Sequence, residues 1–344
     1  MLSVGIVEDL IILLLSLITL IYSGLLVVKS LVKLSYKMHV KEYILSFILL
    51  GLSTSIPELF VGITSALQKK PLLSLGNIIG ASIMDVTFVS AIGAIIARRI
   101  PLRNKMVKST SIYMVGIVSL MVILALIGNQ LSRIDGVILI AVFFFYMGKL
   151  YKQKIETKPL GKKTEKKVLE EDHEGDHRKL IVFYKKIRDE AWFNFILFII
   201  GISVVFLSAK LVTNSAVGIS NDFSLPVLLV GMIIVSVGTT LPELVLEARI
   251  SLAKRWNMSF GDPMGSVVVN SSLILGIVSL ISPIMIDSIL FIFGAIFLIA
   301  STAILAIMMN TKKEITWKDG LILLLVYFIF LIVQLNLRFI SSIQ

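Results

Sequence analysis

The sequence contains no cysteine, so disulfides, thiolate metal sites and cysteine nucleophiles are excluded outright. Acidic residues are in deficit, 22 against 33 Lys and Arg, for a net charge of +11. That excess could suggest a nucleic-acid partner, but its distribution argues otherwise. Twelve of the 33 basic residues fall between positions 152 and 188, and most of the others sit in short gaps between apolar runs. This is the pattern of membrane topology rather than of a basic face tracking a groove. A small-residue cleavage site is missing too. Glu8 and Asp9 precede the first apolar stretch, and a removable signal peptide is not expected. What the chain has in abundance is hydrocarbon: 57% of its 344 residues are hydrophobic, where a soluble domain holds about half. The solvent for that excess is lipid.

Crossing a hydrocarbon core of about 30 Å takes about 20 helical residues. Ten runs meet this: 10–32, 42–67, 73–97, 107–128, 134–151, 192–217, 224–252, 258–283, 286–309 and 317–341. The expected fold is an all-α polytopic membrane protein of about ten transmembrane helices. Residues 152–190 form the one long polar stretch, with twelve basic and nine acidic residues plus His173 and His177, and read as a solvated linker. Loops after spans 1, 3, 7 and 9 carry thirteen Lys and Arg, among them Lys41, Arg103, Arg255 and Lys313. The opposite loops carry four: Lys69, Lys70, Arg133 and Arg338. The positive-inside rule then puts both termini outside a plasma membrane and the linker in the cytoplasm.

The chain repeats itself. Sliding it by 185 residues lays positions 54–85 over 239–270 without a gap and with nine identities in 32 positions. Pro57-Glu58-Leu59 meets Pro242-Glu243-Leu244, and Gly76 and Gly80 meet Gly261 and Gly265. The second copy starts after five spans, an odd number, so it runs in the opposite direction across the bilayer. The expected units are 1–151, the linker 152–190 and 191–344, two inverted five-helix repeats with a site near the midplane between them.

Glu58 and Glu243 lie deep inside spans, where a carboxylate costs about 2.5–3.5 kcal/mol and demands a partner or a purpose. Arg249 is a possible partner in the second copy. Each Glu follows a proline that lacks an N–H and clashes with the preceding turn, so breaks are expected near Ser53 and Gly238, releasing carbonyls into a protein-lined cavity. Ser53, Thr54 and Ser55 stand beside one break, Thr239 and Thr240 beside the other. Carboxylate, hydroxyl and carbonyl oxygens suit Ca²⁺ and Na⁺, and no soft donor accompanies them. A second motif, Gly76-Asn77-Ile78-Ile79-Gly80-Ala81-Ser82-Ile83-Met84-Asp85, is answered by 261–270, ending in Asn270. Its Asp85 and Asn270 are placed to face the same cavity.

These two stretches resemble the α-repeats of the calcium/cation antiporter superfamily, in its Na⁺/Ca²⁺ exchanger branch. The paired Thr-x-x-Pro-Glu and Gly-x-x-x-Gly patterns carry the likeness. It implies a midplane Ca²⁺ site made by Glu58, Glu243 and the carbonyls of Thr54 and Thr239. It also implies flanking Na⁺ sites from Ser55, Thr240, Ser266 and the backbone near Gly51 and Ser236. It further implies transport by alternating access, with spans 1 and 6 sliding against the remaining eight, no permanently bound cofactor, and a chain that works as a monomer exporting Ca²⁺ as Na⁺ flows in. Three departures stand out. An amide in the first repeat and an acid in the second are expected at the inner polar position, whereas Asp85 and Asn270 reverse them. Ala81 stands where a serine is expected, and Glu247 and Arg249 replace small or apolar residues. The alternatives are exchange of H⁺ for Ca²⁺ or for another divalent such as Mg²⁺ or Mn²⁺, a passive cation channel, and an intramembrane aspartyl protease using Asp85 and Asp262. For the last, the flanking sequences and the inverted repeat fit poorly.

Overall fold

The computed structural model describes residues 4–37, 54–102, 105–155, 191–252, 260–286 and 288–341. Its helices follow the expected segments. The first half comprises α1 (Val4–Lys37), α2 (Ile56–Leu67), α3 (Pro71–Met84), α4 (Ser90–Ala97), α5 (Lys105–Leu126) and α6 (Arg133–Ile155). The second comprises α7 (Ala191–Asp222), α8 (Val227–Val230), α9 (Ser236–Thr239), α10 (Leu241–Leu252), α11 (Gly261–Val268), α12 (Leu275–Ile281), α13 (Ile289–Thr311) and α14 (Trp317–Ser341). Single π-helical turns splice α3 to α4 (Asp85–Val89), α8 to α9 (Gly231–Val235) and α11 to α12 (Val269–Ile274).

Seven helical runs among the described residues are long and apolar enough to cross a bilayer, and an eighth crossing is a pair, Val227–Thr239 and Leu241–Leu252, bent by 42°. The other two expected spans are the short apolar α2, whose upstream part lies outside the described residues, and α6, which carries charge at both ends. Of the expected linker, residues 156–190 lie outside the described residues.

Four short strands record the inversion. β1 (Arg99–Pro101), after the third span, pairs antiparallel with β4 (Glu314–Thr316), after the ninth. β2 (Gln130–Leu131), after the fourth span, pairs with β3 (Ile284–Met285), after the eighth. Odd-numbered loops meet on one face and even-numbered loops on the other, as alternating crossings require. Under the repeat, the third loop of one half answers the third loop of the other, so β1 corresponds to β3 and β2 to β4. The two pairings are therefore images of each other on opposite faces.

The helix starts agree. After β2, Ser132 and Asp135 form a reciprocal capping box: Ser132 N–H donates to Asp135 Oδ2 at 2.8 Å, and Asp135 N–H to Ser132 Oγ at 3.3 Å. After β4, Thr316 N–H donates to Asp319 Oδ2 at 2.8 Å. Each satisfies orphan donors at the start of the last helix of its half.

Burial divides the molecule in two. α1 and α7 pack along one another through Leu13, Leu17, Leu20, Val205, Ala209 and Val212, and against Ile56, Val61 and Leu73. Their outer faces expose Leu14, Leu15, Ile18 and Ile199, as lipid-facing helices do. The larger cluster unites the other spans, and its centre is the run Pro71–Ala97, the most deeply enclosed of the crossing helices. That run approaches α8–α9 backbone to backbone. A Cβ on Gly80 would collide with the Met232 carbonyl and lie 2.6 Å from Ser236 Oγ, so only glycine allows this spacing.

Candidate ion-binding site

The two broken segments deliver the first set of oxygens. Pro57 and Pro242 each occupy the second position of a helix, α2 and α10. There a missing N–H costs nothing because that donor has no intrahelical partner in any case. For this reason the break before Pro242 falls at Thr240, two residues later than the expected Gly238. The corresponding Ser53 lies outside the described residues. Glu58 and Glu243 sit in the first turns of these helices, where the helix dipole favours negative charge. Ser55, the residue before α2, does not use its side chain to cap the helix. Ser55 Oγ and Thr240 Oγ1 are both buried without a hydrogen-bond partner.

The second motif meets the first across the repeats. Thr54 Oγ1 donates to Asp262 Oδ1 at 3.2 Å and lies 3.2 Å from Ser266 Oγ, so Ser266 can donate to Thr54 in turn. Thr239 Oγ1 lies 3.1 Å from Asn77 Oδ1 and 3.3 Å from the Ser236 carbonyl, and also bonds Glu58. Its single proton thus faces three acceptors. The hydroxyl that Ser266 supplies beside Thr54 is absent beside Thr239, because Ala81 stands at the equivalent place.

Four acids complete the set. Glu58, Asp85, Glu243 and Asp262 are each 1% exposed, and their charges act on one another. One oxygen of each, Glu58 Oε2, Asp85 Oδ1, Glu243 Oε2 and Asp262 Oδ2, has no hydrogen-bond partner. No Lys, Arg or His is buried among the described residues. Uncompensated carboxylates in a protein interior are costly, and orphaned hard oxygens are the ligands that Na⁺ and Ca²⁺ take. Among the described residues no three acids converge as a ready metal cage, so a cation's shell here needs hydroxyls and carbonyls as well.

The structure places Thr54, Ser55, Glu58, Asp85, Ser236, Thr239, Thr240, Glu243, Ser266 and Asn270 in the buried interior, while Gly51 lies outside the described residues. Asp85 opens one π-helical turn and Asn270 lies in another; such turns recur at functional sites. The residues facing the threonines are Asn77 and Asp262, amide in the first repeat and acid in the second, and Asp85 is a further buried acid. The signal for this pair in the sequence is that Asn77 and Asp262 directly follow the aligned glycines Gly76 and Gly261. Arg249 is exposed and forms no ion pair with Glu243; at six positions along one helix they point to different faces.

The sodium/calcium exchanger protein family matches the chain over residues 9–152 and 193–336. The sodium/calcium exchanger MaX1 of Methanosarcina acetivorans is 26% identical over 356 residues, covering 94% of this chain and 97% of that protein. The inner membrane protein YrbG of Escherichia coli is 23% identical over 243 residues, 70% of each chain. Among solved structures, the sodium-calcium exchanger NCX_Mj soaked with 100 mM Na⁺ and 10 mM Sr²⁺ superimposes with a TM-score of 0.59. At 22% identity, that likeness covers 94% of this chain and 97% of the other and speaks for the fold. With the family matched separately to each half, this multi-pass membrane chain belongs to the sodium/calcium exchanger protein family.

Proposed function

We propose that this cation antiporter exchanges Na⁺ for Ca²⁺ by alternating access, exporting Ca²⁺ as Na⁺ flows inward. The observation that carries the reading is the set of four buried, mutually repelling acids with orphaned oxygens, beside which no base is buried among the described residues. A site with that surplus of negative charge is completed by cations. Glu58 and Glu243, with the carbonyls of Thr54 and Thr239, would hold Ca²⁺. Ser55, Thr240, Ser236, Ser266 and the backbone near Gly51 would serve Na⁺, with Asn77, Asp262, Asp85 and Asn270 around the centre. Because the two ions draw on overlapping carboxylates, loading one displaces the other, and that competition couples the fluxes. Both ions are substrates; the chain needs no resident cofactor.

The same reading takes residues 1–151 and 191–344 as the two repeats. Residues 152–190 form a cytoplasmic linker, with both termini outside the plasma membrane. The packing of α1 along α7, in a cluster distinct from the larger core, supports their sliding as a pair against the remainder, within one chain. The test is radiolabelled Ca²⁺ uptake into proteoliposomes under imposed Na⁺, K⁺ and pH gradients in turn. Uptake driven by outward Na⁺ alone supports the reading. A second reading, H⁺ for Ca²⁺ or another divalent, is favoured by Ala81, which leaves one of the proposed Na⁺ positions a hydroxyl short; uptake driven by the pH gradient alone would select it.

A further inference from the structure

The two repeats offer opposite polarity at one equivalent place. Under the 185-residue shift, Asp262 answers Asn77, Ser266 answers Ala81 and Thr239 answers Thr54. Asp262 and Asn77 each meet the threonine of the other repeat. Thr54 Oγ1 lies 3.2 Å from Asp262 Oδ1, and Thr239 Oγ1 lies 3.1 Å from Asn77 Oδ1. What each side chain has left over differs. Asp262 keeps an unpartnered oxygen, Oδ2, whereas Asn77 keeps an unpartnered donor, Nδ2. Both residues are buried, Asp262 at 1% and Asn77 at 0% exposure. A bare carboxylate oxygen attracts a cation, and a bare amide N–H repels one.

The threonine hydroxyl fixes the direction of the bonds around it. Thr54 has one proton and an ionised carboxylate only accepts, so that proton goes to Asp262. The 3.2 Å contact between Thr54 Oγ1 and Ser266 Oγ is then donated by Ser266, whose own lone pairs stay available. Thr54 thus holds one carboxylate and one hydroxyl beside a single point in the buried interior. Hard oxygens of this kind suit Na⁺. In the first repeat the hydroxyl is missing as well as the charge, because Ala81 has none.

We propose that Asp262 is a direct Na⁺ ligand, binding the ion through Oδ2 together with Ser266 Oγ, and that it makes this the tighter of two unequal Na⁺ positions. The weaker one, at Thr239, has Asn77 and Ala81 in their place. This assignment rests on the exchange reading above and names the residue that sets its Na⁺ dependence.

Two variants test it. Asp262→Asn leaves Thr54 an acceptor and copies what the chain already holds at Asn77, so folding should be retained. Asn77→Asp with Ala81→Ser builds the acid and the hydroxyl into the first repeat. Na⁺-driven Ca²⁺ flux and Ca²⁺ self-exchange are measured in proteoliposomes for the parent and both variants. In Asp262→Asn the Na⁺ concentration for half-maximal flux should rise about tenfold, the scale of one lost charge-assisted contact. The Ca²⁺ half-saturation of self-exchange should move less. That order separates a ligand from a distant charge, which acts twice as strongly on a divalent ion as on a monovalent one. In the second variant the half-maximal Na⁺ concentration should fall. Parent-like Na⁺ dependence in Asp262→Asn overturns the proposal, as does a Ca²⁺ affinity that falls as far as that for Na⁺. An unchanged Na⁺ requirement in the second variant overturns the inequality of the two positions. If the parent itself shows no Na⁺-dependent flux, the exchange reading fails. The assignment is then decided, as for any variant without flux, by Na⁺ protection against thermal unfolding measured against K⁺. Protection smaller in Asp262→Asn than in the parent supports it; equal protection, or none in either, overturns it.

Discussion

At the scale of single residues, the question is why a membrane protein keeps buried acids with no buried base among the described residues. Glu58 and Glu243 stand at the positive ends of broken helices, which softens the cost without cancelling it. Glu58→Gln or Glu243→Gln should reduce Ca²⁺ flux to background. In the absence of Ca²⁺ either should leave stability equal or higher by about 1–3 kcal/mol, the scale of relieving one unsatisfied buried polar group. Melting with and without Ca²⁺ checks this: the variants should lose the Ca²⁺-induced rise seen in the parent. The cross-repeat pairs predict a second result. Asn77→Asp with Asp262→Asn keeps charge and volume and leaves each threonine an acceptor, so it should retain substantial flux, whereas Asp262→Asn alone should impair it. A double variant as impaired as Asp262→Asn alone would mean that the acid's position, and not only its presence, matters; an active Asp262→Asn would mean that this acid is dispensable. The glutamates and threonines were legible from one repeated motif. The partners of the threonines were not, because bonds spanning 208 and 162 residues leave no trace in periodicity.

At the scale of elements, close approach and deliberate irregularity position the site. Gly80→Ala would drive a methyl group into the Met232 carbonyl and Ser236. Overpacking of this kind costs about 1–3 kcal/mol. Thermal unfolding of the purified variant should show that loss, and flux should fall further than stability because Ser236 and Thr239 are displaced with α9. Ten spans, the charged segment and the prolines could be read from composition. The π-helical turns at Asp85–Val89 and Val269–Ile274 could not, since a one-residue change in helical register has no compositional mark. The break at Thr240 was misplaced by two residues for a related reason. Reading Pro242 as a disruptor of the preceding turn overlooked that it also serves as a helix starter.

At the scale of the whole molecule, the paired strands and the corresponding helix starts make two halves related by inversion, and this geometry can be tested directly because the chain has no cysteine. Single cysteines at Arg99 and at Gln130 should react with a membrane-impermeant thiol reagent from opposite sides of the bilayer. Gln130→Cys with Met285→Cys, cross-strand neighbours, should form a disulfide. Labelling of both single variants from one side would undo the inverted topology. In the function proposed here, inversion gives the same surplus of acids a route to either face, and cations of two kinds compete for them. The most direct measurement is radiolabelled Ca²⁺ uptake by proteoliposomes loaded with Na⁺ and diluted into Na⁺-free medium. Uptake should rise with internal Na⁺, be abolished when K⁺ replaces Na⁺ inside, and disappear in Glu58→Gln and Glu243→Gln. Uptake that proceeds equally with internal K⁺, or survives in both variants, would contradict the proposed exchange.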